Sequence, residues 1–371
     1  MIKKHNPLRY IYLNLIIKPL EKGIFKNKNL PINSYSIDMK PKSYQLIKLL
    51  VFAIFVFTGF IACKNTEEKS EAKASAEIEK PAEPFFKISL AQWSLNQAMR
   101  SGEMDPMDFA KKASEMGFEG IEYVTQLYDN KLKEGGNSAE AFQSLLDSLK
   151  AKSERYNIEN VLIMVDGEGD LATPNKEERT LAVENHKKWV DAAQFLGAQS
   201  IRVSLFGSDD PEVWKTASVD GLSKLSNYAA EKNINVLVEN HGYLSSNAQL
   251  LVEVMEDVNL PNCGTLPDFG NFCLKREGGE RFKAKCIEEY PKYQGVEEMM
   301  PYAKAVSAKA YDFNEEGEET TINYNRMLQI VKDAGYTGYI GIEYEGQRLA
   351  AEEGIMATKK LLIEEGIKLN Q

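Results

Sequence analysis

From Phe85 to Ile367 the chain repeats one pattern eight times: a short apolar run, then an amphipathic stretch of helical period. The runs are KISLAQWS (87–94), FEGIEYV (118–124), NVLIMVDG (160–167), SIRVSLFG (200–207), NVLVENHG (235–242), CGTLPDFGN (263–271), AVSAKAYDF (305–313) and YIGIEYEG (339–346). Helices are expected near 105–116, 138–155, 176–196, 217–232, 246–256, 294–303 and 322–334, with a last one reaching about 367. Alternation of this kind joins parallel strands through crossover helices, because parallel neighbours cannot be linked by a tight turn. Eight units spread over residues 85–371 predict a single-domain (β/α)8 TIM barrel. An open doubly wound sheet is the alternative, but no GxGxxG turn follows the first run. Asp105-Pro106 has the residue types of a helix start, while Gly117, Gly197 and Gly335 have those of helix ends before strands.

The segment before this domain has another character. From Met39 the sequence runs MKPKSYQLIKLLVFAIFVFTGFIAC, with basic residues, an apolar stretch and then small residues ahead of Cys63. That is the layout of a secretory signal, and an apolar run this short is not a comfortable membrane span. The ending F-I-A-C resembles a bacterial lipobox with Phe60 in place of Leu, which implies lipidation at Cys63. Residues 1–62 are therefore expected to be a signal region with its true start at Met39, and 63–84 a flexible acidic tether. The expected location is the cell envelope, with membrane contact through a lipid anchor only. Without residues 1–62 the chain holds 35 basic and 53 acidic residues, a net charge of −18, which excludes nucleic acid as a natural partner. Cysteines 263, 273 and 286 remain, either as free thiols or with one disulfide among them. The stretch KREGGERFKAK (275–285) reads as an exposed loop near the active face.

In a barrel the carboxyl ends of the strands form the catalytic face, so polar residues there are read apart from those on helices. The strand ends offer Gln92, Glu122, Asp166, Arg202, Glu239 with His241, Asp268 with Asn271, Lys309 with Asp312, and Glu343 with Glu345. Carboxylates converging on one mouth repel one another and need protons or a cation. A divalent metal ion satisfies that need, with Mn²⁺ the first expectation, Mg²⁺ next, and Zn²⁺ or Co²⁺ if an imidazole joins the shell. His241 stands two residues beyond Glu239 and would share its direction if the strand continued. The only other histidine of the mature chain, His186, lies among charged residues and is expected on the surface.

The stretches LVENHG, PNCGTLPDFGNF, SAKAYDF and GYTGYIGIEYEG resemble the sugar phosphate isomerase/epimerase family of xylose isomerase-like TIM barrels. The resemblance implies a metal held by Glu239, Asp268 and Glu343, with the two glutamates also carrying protons. It further implies a His on the seventh strand, where this chain has Ser307 and Lys309, and another three residues after Asp268, where it has Asn271. His241 is the candidate to replace the missing nitrogen. The implied activity is a metal-dependent sugar isomerase or epimerase that abstracts a proton next to a carbonyl. Lys309 would stabilise an enediolate, and Gln92, Trp93, Glu122, Arg202, Asn271 and Glu345 would contact the sugar. An envelope address points to a non-phosphorylated sugar or keto-sugar. Two alternatives stand beside it: a lyase eliminating across 3-keto-glycosides, and a non-catalytic sugar-binding lipoprotein.

Overall fold

The structure is a computed structural model, and it describes residues 82–371. The expected signal, the lipidation at Cys63 and most of the tether lie outside the described residues. No helix among the described residues is long and apolar enough to cross a membrane.

Eight parallel strands form the barrel: β1 (Lys87–Ala91), β2 (Gly120–Val124), β3 (Glu159–Met164), β4 (Ser200–Val203), β5 (Asn235–Glu239), β6 (Cys263–Leu266), β9 (Val306–Ala310) and β10 (Tyr339–Tyr344). They run in the order β6-β5-β4-β3-β2-β1-β10-β9. The remaining seam, between β6 and β9, carries no full ladder. Pro267 has no N–H to give, and closure there rests on two isolated bridges, Thr265 with Ala303 and Asp268 with Ser307. Around the second, Ser307 N donates to Pro267 O at 2.9 Å and Phe269 N donates to Ser307 O at 3.1 Å.

Each strand shows both of its faces in its sequence. Tyr123 turns outward and packs edge-on against Phe109 of the helix Phe109–Glu115. Tyr344 likewise presses on Gly354, where an added Cβ would fall 2.2 Å from its ring. The opposite parity turns inward. A Cβ at Gly341 would fall 2.3 Å from Glu122 Oε1, so this glycine makes room for a carboxylate inside the barrel. Fully buried Leu90, Ile121, Ile340 and Ile342 supply the apolar layer beneath the helices. Each contributes on the order of 2 kcal/mol by leaving water.

The helix stops follow the residue chemistry. Asp105 accepts from Met107 N ahead of Pro106, although the first turn there is 3-10. Asn175 and Asp210 cap the helices Lys176–Leu196 and Pro211–Ala230 through their side chains. Gly197 ends the former with φ 78°. The helix expected to begin near 217 starts at Pro211, because Asp210-Pro211 is itself a start signal.

An excursion after β6 forms an antiparallel hairpin of β7 (Cys273–Arg276) and β8 (Cys286–Glu289). Its strands bring Cys273 and Cys286 together as a disulfide, with Cα atoms 5.8 Å apart. Cys263 is free and buried. His186 corrects an expectation. It is buried, with Nδ1 2.7 Å from Ala182 O, because Ala182, Val183, His186, Trp189 and Val190 share the inner face of their helix.

Candidate active site

Three carboxylates meet at the carboxyl ends of β5, β6 and β10. Glu239, Asp268 and Glu343 are each buried, and one oxygen from each lies within 4.8 Å of the others. The register builds this cluster from below. Gly341 pairs with Ser307, and Glu343 with Lys309, so Ser307 and Lys309 stand beside β10 one step apart on the inward face.

Glu239 accepts from Asn271 Nδ2 through Oε1 at 3.0 Å. Its Oε2 lies 2.9 Å from Arg202 Nε but off the line of a hydrogen bond, so this buried oxygen has a charge partner and no hydrogen-bond donor. Arg202 donates through Nη1 to Asp166 Oδ1 at 2.9 Å. Burial would push the guanidinium down, but Asp166, Glu239 and Glu343 outweigh it and hold it firmly charged.

Asp268 Oδ1 receives Gly270 N and Asn271 N, both at 2.8 Å, while Oδ2 receives Ser307 Oγ at 2.6 Å. Burial pushes its carboxyl up to about 6 despite the nearby Lys309. Burial likewise pushes Glu343 above the ordinary carboxylate range, with Lys309 opposing it. Lys309 is 1% exposed, and its Nζ lies 3.1 Å from Glu343 Oε1, 3.7 Å from Asp268 Oδ2 and 2.8 Å from Glu345 Oε1. Burial disfavours this ammonium, yet the surrounding carboxylates keep it protonated. Glu345 resists its own burial because of Lys309 and stays below the usual carboxylate range.

Several expected site residues stand elsewhere. His241 does not join the three converging carboxylates: β5 stops at Glu239, and the alternation that would have aligned the two side chains stops with it. Asn240 breaks the strand: Oδ1 accepts Asp268 N at 2.7 Å, and Nδ2 donates to Asp268 O and Asn271 O. Gly242 then adopts φ 94°. The imidazole instead lies 3.2 Å from Ser204 Oγ and packs between Phe206 and Phe282, and burial lowers its basicity.

Gln92 is fully buried and donates to Tyr128 Oη while accepting from Val124 N, so its amide ties β1 to β2 and the turn after it. Glu122 lies deep, holding Ser89 Oγ at 2.7 Å, and burial raises it to about 7. Trp93 is half-buried under the Arg100 guanidinium, 4.9 Å from its ring. Asp312 pairs with the exposed Arg348, away from the cluster.

Sequence reasoning missed Asn240 as the clasp between β5 and β6, and missed the wall that the hairpin adds to the mouth. There Phe282 packs on Phe206 and His241, and the Arg281 guanidinium sits 4.5 Å from the Phe206 ring centre. The glycines and charges of 275–285 signalled an exposed loop and concealed its one aromatic residue.

The residues present fit a divalent cation. Three buried carboxylates converge, and Glu239 Oε2 is a buried acceptor without a donor. Glu239, Asp268 and Glu343 would hold such an ion.

Comparison with known proteins agrees with this architecture. A 48-residue stretch, 13% of this chain and 14% of the relative, is 44% identical to the 3'-dehydrocarminate deglycosidase alpha subunit of a Microbacterium species. Among solved structures, the chain is similar to a 3-keto-D-glucoside 4-epimerase from E. coli, with TM-score 0.56 and 14% identity over 75% of this chain and 98% of that one. It is also similar to an IOLI protein with a bound zinc atom, with TM-score 0.55 and 15% identity over 76% and 99% of the two chains. At such identities these likenesses speak for the fold alone. The family described as xylose isomerase-like TIM barrel matches residues 110–364, and this protein belongs to it.

Proposed function

We propose that this protein is a metal-dependent sugar isomerase or epimerase acting on a non-phosphorylated sugar or keto-sugar. The observation that carries the reading is the convergence of buried Glu239, Asp268 and Glu343 at the mouth of a xylose isomerase-like barrel. A divalent ion held there, Mn²⁺ before Mg²⁺, Zn²⁺ or Co²⁺, supplies Lewis acidity that weakens the C–H bond next to a substrate carbonyl. Glu239 takes that proton while the electron pair moves toward the carbonyl oxygen, giving an enediolate. Glu343, on the other side of the cluster from Glu239, returns a proton. Return to the opposite face of the same carbon epimerises it; return to the neighbouring carbon isomerises the sugar. Lys309 balances the negative charge that develops on the oxygen. Arg202 and Lys309 are both paired with carboxylates, so the cluster carries no surplus positive charge to attract a phosphate, which favours a neutral substrate. An anchored, envelope location belongs to the same proposal.

The short match to a deglycosidase favours one second reading, elimination from a 3-keto-glycoside. Here the same proton abstraction is followed by departure of the aglycone with its bonding electrons. Both readings are tested by NMR in D₂O with free sugars, glycosides and 3-keto-glycosides, with and without chelator. Chelator-sensitive exchange of the proton next to the carbonyl supports both, and release of an aglycone selects elimination. No exchange and no product on any of these compounds defeats both.

A further inference from the structure

All three carboxylates that would hold a metal already face a cation of the protein's own: Arg202 stands at Glu239, and Lys309 at the other two. The Lys309 ammonium lies 3.1 Å from Glu343 Oε1 and 3.7 Å from Asp268 Oδ2. Its position is set by the fold: Lys309 pairs in register with Glu343, and its stem crosses Gly270, where a Cβ would come 2.7 Å from Lys309 Cγ. With 1% exposure it cannot swing into solvent from this place without rearrangement. A divalent ion held by Asp268 and Glu343 would stand against this ammonium, and like charges that close repel strongly where water is excluded.

The third partner of Lys309 differs from the other two. Glu345 Oε1 is the nearest acceptor, at 2.8 Å, its side chain is 34% exposed, and it lies outside the carboxylate triad. It can therefore keep the ammonium after the triad has released it.

We infer that Lys309 is a resident counter-cation that competes with the divalent metal for Asp268 and Glu343, and that Glu345 sets the outcome by drawing the ammonium aside. In the metal-free protein Lys309 holds the carboxylates together. Metal loading moves the ammonium fully onto Glu345, so metal affinity is governed by a residue pair that never touches the ion. This inference rests on Glu239, Asp268 and Glu343 as the metal-holding residues, and not on the sugar chemistry proposed above.

The test is Mn²⁺ binding to the full chain, measured calorimetrically and by the electron paramagnetic resonance of the free ion. Lys309→Met, close in shape and uncharged, should tighten Mn²⁺ binding by about tenfold or more. Lys309→Arg, which keeps the charge, should not tighten it. Glu345→Gln should weaken binding by about tenfold, and adding it to Lys309→Met should change affinity by less than about twofold, because its effect runs through Lys309. Circular dichroism and a denaturation curve establish folding, and Lys309→Gln replaces Lys309→Met if the latter does not fold. Equal or weaker binding by the neutral variants overturns the inference. So does a Glu345→Gln effect of the same size with and without Lys309, which would mark simple loss of negative charge. Binding is read without substrate, so failure to exchange protons on any sugar would defeat the functional reading and leave this result standing.

Discussion

Ser307 Oγ stands 2.6 Å from Asp268 Oδ2 and 3.2 Å from Glu343 Oε2, so one hydroxyl bridges two carboxylates on either side of the barrel seam. With a single proton it donates to the shorter contact, Asp268. That bond favours the ionised form of a carboxyl that burial raises to about 6.

A metal ion competes with the proton on Asp268. Mn²⁺ affinity should therefore fall as pH drops through about 6, where the carboxyl takes up its proton. Ser307→Ala removes a hydrogen bond that favours the carboxylate, so the same fall should begin at higher pH. Mn²⁺ titrations between pH 5 and about 8 check both; an unmoved midpoint in the variant would show that Ser307 only spaces the strands.

Glu122 gives a stability signature with a definite sign. Burial raises its pKa from 4.5 to about 7 in the folded chain. The folded state then binds the proton more tightly than the unfolded one, so this contribution is full below 4.5 and is lost as pH rises through about 7. The loss amounts to about 3 kcal/mol at most. Urea denaturation should show the wild type losing more stability than Glu122→Gln between pH 5 and about 8. Parallel pH profiles would mean that Arg202 and the neighbouring carboxylates absorb the change.

The hairpin wall should affect binding more than chemistry. Cys273 and Cys286 close a segment with sequence separation 13, and Phe282 within it packs on Phe206 and His241. Phe282→Ala should raise KM severalfold with little change in kcat, since the ring touches the mouth and none of the three carboxylates. Removing the disulfide with Cys273→Ser and Cys286→Ser should cost about 3 kcal/mol, measured by denaturant unfolding. Unchanged KM in Phe282→Ala would place the wall outside the substrate's path.

The barrel was legible because its period is simple: eight apolar runs of strand length, each followed by a helix-length amphipathic stretch. Glu239, Asp268 and Glu343 were legible for a related reason, since a carboxylate closing an apolar strand has few places to go except the mouth. His241 misled because its position assumes that β5 continues, and nothing local in E-N-H-G states that Asn240 leaves the ladder. His186 misled in the opposite direction. Its charged sequence neighbours hid a helical spacing, Ala182, His186, Trp189 and Ala193, that places it inward. The disulfide was not legible because spacing alone does not pair three cysteines; the antiparallel return of the chain does. Lys309 was legible as a strand-end residue at the same mouth, but which carboxylates it meets was not, because its stem crosses Gly270 on a neighbouring strand connection.

Asn240 is where fold and site become one object. It is fully buried, and its amide accepts Asp268 N while donating to Asp268 O and Asn271 O. The backbone it holds carries Asp268, whose own Oδ1 receives Gly270 N and Asn271 N, and Asn271 in turn donates to Glu239. Truncation to Asn240→Ala takes this partner from Asp268 N and Asp268 O, while Asn271 O keeps Ser246 Oγ, at roughly 1–3 kcal/mol for each buried group left unpaired. The variant should therefore lose about 3 kcal/mol or more in denaturant unfolding while keeping its helical circular dichroism. Mn²⁺ affinity should fall along with stability, because Asp268 and Glu239 are then no longer held in register. Asn240→Asp retains the acceptor for Asp268 N but sets a carboxylate against two carbonyl oxygens, and should be at least as damaging. Stability lost with metal binding intact would show that the clasp supports the barrel without setting the geometry of its mouth.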